Sequence, residues 1–142
     1  MGYFILLTSD YHGGDAYEIL KQRLKSKSWE IYNKTNLRMQ LRVGDKVIFY
    51  LAGHGKYSQH FVGEAVIKEI VLADGAYSEE SNTLIYSTLK FEDITIYKKP
   101  SPIKKILEKL IFVSNPAKYG TALNGGVRRI LEVDYLTILK GK

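Results

Sequence analysis

Val43-Gly44-Asp45-Lys46-Val47-Ile48-Phe49-Tyr50 and, beyond a polar interval, Phe61-Val62-Gly63-Glu64-Ala65-Val66 are the stretches whose reading decides the fold. Gly44-Asp45 is turn chemistry, since glycine supplies positive φ and aspartate bonds nearby backbone. The run behind it, Lys46–Ala52, is short, β-branched and aromatic, and reads as a strand. Gly53–His60 is a polar loop, and Phe61–Ile70 is a second central strand. Two apolar strands of this kind define the middle of a sheet, and the rest of the chain is placed around them.

Upstream, Tyr3–Leu7 is a buried strand and His12-Gly13-Gly14 breaks the chain. Asp15 with Glu18 forms a capping pair for a helix whose stripe is Ala16, Ile19, Leu20 and Leu24. Thr35–Leu41 reads as a short helix. Downstream, Ala73–Asn82 is a loop, and Leu84–Leu89 and Phe91–Tyr97 are strands separated by a break near Glu92-Asp93. Ser101 as N-cap and Pro102 at the first helical position open a helix with inner face Ile103, Ile106, Leu107 and Leu110. Phe112-Val113 and Gly126–Leu131 are strands, and Val133–Leu139 is a final helix. Many short strands with peripheral helices define an α+β chain built on a small mixed barrel. With no repeat or linker over 142 residues, one domain spanning 1–142 is expected.

Composition narrows the function. Apolar content of 45% and a mean hydropathy of −0.17 suit a globular chain. Apolar runs fall far short of the roughly 20 residues that span a bilayer, so no membrane partner is expected. No cysteine is present, which removes thiolate metal sites and disulfides and fits a cytoplasmic location. The net charge of +6 is clustered: Lys21, Arg23, Lys25, Lys27 and Lys34 face the lone acid Glu30, and Lys118, Arg128 and Arg129 form another group. Such clusters attract phosphate. A solvated lysine surface is the alternative, but eleven tyrosines and one tryptophan beside the charge favour nucleic acid. Trp29 lies in the polar segment Ser28-Trp29-Glu30-Ile31-Tyr32-Asn33, outside the main apolar runs. It is therefore either a core plug or an open surface for stacking a nucleobase.

Catalysis finds little support. His12, His54 and His60 lack metal-ligand spacing, Gly53-His54-Gly55 lacks the lysine and hydroxyl of a phosphate loop, and no nucleophile–base pair is visible. No cofactor is implied. A protein-interaction barrel with incidental basic faces stays open as another class.

The order of these motifs resembles an EVE domain of the PUA-like superfamily, related to the YTH readers of methylated adenine. The resemblance rests on Tyr3–Leu7 with the corner Thr8-Ser9-Asp10, on Trp29-Glu30-Ile31-Tyr32-Asn33, and on the two stretches quoted first. It continues through Leu110–Asn115, Tyr119-Gly120, Arg128-Arg129-Ile130 and Asp134-Tyr135. It implies a non-enzymatic reader that flips a modified base into an aromatic cage, with Trp29 as platform and Tyr32 or Tyr77 closing the other side. Thr8, Ser9 and Asp10, backbone groups of Glu30 and Ile31, and the amide of Asn33 would read the base edge. Lys25, Lys27, Lys34, Lys118 and Arg128 would hold phosphates, which position the strand without reading sequence. Edge reading is needed, because burying one methyl contributes only about 0.8 kcal/mol, roughly fourfold in affinity.

EVE-like domains also stand at the front of modification-dependent restriction enzymes of the McrBC type. The resemblance therefore implies methylated or hydroxymethylated cytosine in DNA as ligand, with a fused or associated AAA+ GTPase and nuclease. A reader of modified RNA is the main alternative, and an RNA-processing enzyme a further one. The Gly-x-Lys-x-x-Glu-x-Arg signature of the ASCH group is missing from the chain. On this reading Trp29→Ala abolishes preference for the modified base and leaves salt-sensitive binding intact.

Overall fold

Seven strands, two α-helices and several 3₁₀ turns make up the computed structural model, which describes residues 1–9, 14–32, 35, 37–73, 77–78, 83–123 and 126–142. The strands are β1 (Tyr3–Thr8), β2 (Ser28–Tyr32), β3 (Lys46–Leu51), β4 (His60–Leu72), β5 (Tyr77–Ser78), β6 (Thr83–Pro102) and β7 (Val127–Ile130). Helix α1 is Ala16–Lys25 and α2 is Glu132–Lys140. The sheet runs β2-β6-β4-β3-β1-β7, with β5 paired to β6 off this path. Only β1 and β3 are parallel among these pairs, Tyr3 facing Lys46 and Thr8 facing Leu51. The fold is the mixed α+β, PUA-like architecture expected.

Alternation along the strands separates two clusters. One holds Phe4 and Leu6, Trp29 and Ile31, Val47 and Phe49, Leu89 and Phe91, and Val127, closed by Ala16, Leu20 and Leu24 of α1. The other holds Ile5, Ile48, Tyr50, Phe61 and Tyr97, covered by Tyr135 and Ile138 of α2 and by Ile103, Ile106 and Leu110. Successive side chains of a strand point to opposite faces, so Phe4 and Ile5 belong to different clusters.

Several elements depart from the sequence reading. The two strands expected at Leu84–Leu89 and Phe91–Tyr97 are one 20-residue strand. Asp93 does not end it; it adopts φ 54° inside it, at one of three register shifts against β4 that absorb extra residues as bulges. The same close approach explains Gly63, since a Cβ there would lie 2.6 Å from the Thr95 carbonyl oxygen.

Ser101 does not cap a helix, because it is opposite Phe61 in the ladder. The helix expected after it is two single 3₁₀ turns, Ile103–Lys105 and Leu107–Lys109, separated by Ile106 at φ −121°. Phe112-Val113 is not a strand: the N–H groups of Ile111 and Phe112 donate to the buried Asp134 carboxylate at 2.8 and 3.0 Å. At Thr35–Leu41 no helix forms among the described residues. Leu37 is left-handed (φ 59°), and Thr35 is engaged with Tyr32 through backbone and hydroxyl. The expected loop at 73–82 contains the short strand β5. Asp15 takes the N-cap position of α1, but its carboxylate accepts the Lys56 N–H at 2.9 Å, while Glu18 pairs with Lys21.

Candidate nucleic-acid site

The two ends of the sheet path come together around one hollow. Its wall is formed by Leu7, Thr8 and Ser9 at the end of β1, Trp29 to Tyr32 of β2, Thr35, Gly126 and Val127 at the start of β7, and Arg23 of α1. β2 and β7 thus curl toward each other without pairing, and the seam between them is the hollow. Gly126 forms part of the rim at φ 84°, a conformation that favours glycine. The volume is about 160 Å³. A cavity of about 150 Å³ admits a benzene ring, so the hollow matches one six-membered ring.

Trp29 is not the open platform the sequence suggested. Its side chain is 4% exposed. Phe49 stacks on it with ring centroids 5.2 Å apart and planes 24° from parallel, and Phe91 meets it edge-on at 6.3 Å. The Arg23 guanidinium lies over the indole, 4.9 Å from its centroid. The ring is therefore both core and wall: Phe49 and Arg23 stack against it, and it still borders the hollow. Replacing it by alanine would empty core volume at a cost of about 3–5 kcal/mol, so Trp29→Ala does not isolate a binding role.

Thr8, Ser9, Arg23, Glu30, Tyr32 and Thr35 bring polar groups to the wall. Thr8 is 3% exposed, and its hydroxyl has no hydrogen-bond partner among the described residues. Leaving such a group unsatisfied costs about 1–3 kcal/mol. The Phe91 N–H donates to the Lys27 carbonyl, and Ser28 to Ile31 face Lys90 to Ser87 in register. Antiparallel alternation then turns the N–H and C=O of Glu30 away from β6, toward the open edge, and those of Ile31 toward β6. Ile31 contributes its apolar side chain instead.

Six of the expected base-site residues, Thr8, Ser9, Trp29, Glu30, Ile31 and Tyr32, share this wall. Tyr77 belongs to β5, opposite Leu84 of β6. Asp10, Asn33 and Lys34 lie outside the described residues. Lys25 and Lys27 are exposed at the end of α1 and in the turn into β2, and Lys118 is exposed in the 3₁₀ segment before β7. Arg128 faces away from the hollow, over Phe112 at 5.7 Å, whereas Arg129 lies over Phe4.

Arg23 is the wall residue the sequence reading assigned only to a basic cluster. Its spacing held the signal: it is four residues after Ile19 and three after Leu20, hence on the edge of the buried stripe of α1.

A curled sheet of this order, with a hollow at its seam, is a PUA-like fold. The EVE domain profile matches residues 10–141, and the chain belongs to that family. No curated protein matches the chain. Among solved structures, human THYN1 in complex with 5-methylcytosine-containing DNA is 16% identical with TM-score 0.60, covering 100% of this chain and 99% of that one. The N-terminal domain of Staphylothermus marinus McrB is 11% identical with TM-score 0.54, covering 99% and 94%. The Pho92 YTH domain in complex with m6A is 15% identical with TM-score 0.61, covering 98% and 84%. An ASCH protein from Zymomonas mobilis shares the fold at 11% identity and TM-score 0.63, covering 98% and 94%. At these identities the likeness is one of fold.

Proposed function

We propose that the chain reads a modified base, drawn out of its stack into the hollow between β1, β2 and β7, and that this base is 5-substituted cytosine in DNA. The Thr8 hydroxyl carries the reading. It is a buried polar group with no partner among the described residues, on a residue that lines a space sized for one ring together with an indole. A base edge supplies the missing hydrogen bond, and Glu30 adds a backbone donor and acceptor on the open strand edge. Unstacking a base costs a few kcal/mol, and aromatic contact returns roughly 1–3 kcal/mol. The single-ring volume favours a pyrimidine over a purine, and the solved complex of THYN1 with 5-methylcytosine DNA supports the same choice. Likeness to the McrB N-terminal domain supports a place in a modification-dependent restriction system, with the nuclease and its AAA+ motor elsewhere. Lys25, Lys27 and Lys118 hold flanking phosphate. Asp10 and Asn33 as base-edge readers and Lys34 as a phosphate contact belong to the same proposal, on residues outside the described ones. The protein acts by binding and catalyses nothing itself.

The test is a panel of matched DNA and RNA oligonucleotides carrying cytosine, 5-methylcytosine, adenine or N6-methyladenine, bound by native protein and by Trp29→Phe, which keeps the core filled. Preference for 5-methylcytosine DNA that weakens in the variant supports the proposal. Preference for methylated adenine in RNA moves the reading to the alternative, and cleavage of any strand overturns the non-catalytic role.

A further inference from the structure

The guanidinium of Arg23 lines the hollow and lies over Trp29, so a ring that fills the hollow meets the guanidinium before it can stack on the indole. It is planar and cationic, lies 4.9 Å from the indole centroid, and covers the ring against which Phe49 stacks at 5.2 Å. Arg23 also separates two spaces. It lines the hollow with Thr8 and Trp29, and it lines a neighbouring surface hollow of about 270 Å³ with Ile19, Gln22, Ser26, Ser28 and Glu30. The backbone beneath it is fixed, because Leu20 and Leu24 anchor the last turns of α1 in the core. Only the side chain needs to move, and the second space is polar and open enough to receive it.

Resting on the base-reading function, we infer that Arg23 is a competing occupant of the indole and sets the affinity threshold of the site: a base in the hollow stacks on Trp29 by displacing its guanidinium. A cation over an aromatic face is worth about 0.5–2 kcal/mol, according to how far it is desolvated. A closed site lowers apparent affinity by the fraction of molecules that are open. Removing the cap therefore tightens base binding about 2- to 30-fold, the equilibrium equivalent of that range. The cap is released before any feature of the base is read, so its cost is the same for every base. Specificity is a difference of affinities, and a uniform cost leaves the ratio between methylated and unmethylated base unchanged.

The experiment compares native protein with Arg23→Ser, and with Arg23→Gln as a second variant of closer size. Trp29 is the sole tryptophan of the chain, so its emission reports the indole directly. In the free protein, both variants should shift emission to the red and increase quenching by acrylamide; unchanged quenching would show that the guanidinium does not cover the ring. Binding is then measured with a short single-stranded DNA carrying one 5-methylcytosine, and with its cytosine counterpart, at salt high enough to suppress phosphate contacts. Both should bind the variants more tightly by the same factor. Weaker binding to both would make Arg23 a direct ligand group, and an altered ratio would make it a base reader; either overturns the inference. Increased quenching without tighter binding removes the competition alone, whereas native protein that binds neither oligonucleotide removes the base-reading function on which it stands.

Discussion

The face of the sheet under α2 and the face under α1 are built by one alternation, yet they treat their polar atoms differently. Under α2, Tyr50, Tyr97 and Tyr135 are packed into the second cluster, with exposures of 2%, 5% and 6%. The Tyr97 hydroxyl is buried without a partner among the described residues, with the Lys142 ammonium over its ring. Under α1, the Thr8 hydroxyl is equally orphaned, but Thr8 lines the seam between β2 and β7. An unsatisfied buried atom is a cost anywhere. It becomes a recognition group only where there is room for a ring and a flat surface beside it. The incomplete closure of the sheet supplies both.

The largest effect expected from this contrast is at high pH, and it belongs to the α2 face. Burial raises the phenols of Tyr50, Tyr97 and Tyr135; for Tyr135, burial and then the Glu64 carboxylate push it up to about 12. The unfolded chain releases these protons from about pH 10, before the folded one does. Stability is therefore whole below pH 10 and falls as pH rises from 10 toward 12. Thermal melts across that window, compared with Tyr135→Phe, should show the fall blunted in the variant; identical profiles would mean that Tyr135 titrates normally in the fold.

Next in size is Phe49→Ala. Phe49 is fully buried between Trp29 and Phe91, so its loss should cost about 3–5 kcal/mol in denaturant unfolding. A cost below about 1 kcal/mol would show that the indole does not depend on it.

Thr8→Val is the smallest effect and the sharpest. It removes an orphaned hydroxyl whose burial costs about 1–3 kcal/mol, so the free protein should become more stable while oligonucleotide binding weakens. A variant that loses both, or neither, would separate Thr8 from the site.

Much of this arrangement was legible in the chain. β1 and β3 are short apolar runs beside turn residues, β4 opens on the apolar Phe61-Val62 pair, β7 follows Gly126, and α2 carries Tyr135 and Ile138 on its buried side. β6 was not legible as one strand, because Glu92-Asp93 reads as a stop and only pairing with β4 carries the chain across it. Ser101-Pro102 reads as a helix start, but the ladder with β4 claims both residues first, opposite Phe61 and His60. For the site, the family resemblance put Thr8, Ser9 and the Trp29 segment in one group, and they line one hollow. The polar neighbours of Trp29 misled about its exposure. Ser28 to Tyr32 alternate, Trp29 and Ile31 being buried and the others half-buried, and that period of two marks a strand facing a core. Arg128 shows the opposite limit: its charge was legible, while the face it takes is set by the register of β7, which puts it opposite Ile5 of β1.

The most direct test of base entry beside Trp29 is the emission of that single tryptophan in native protein during titration with DNA containing 5-methylcytosine, with binding followed independently by anisotropy of the labelled strand. Emission should change saturably and in step with anisotropy. A saturating anisotropy curve over constant emission would place the DNA on the lysine surface alone and contradict the account.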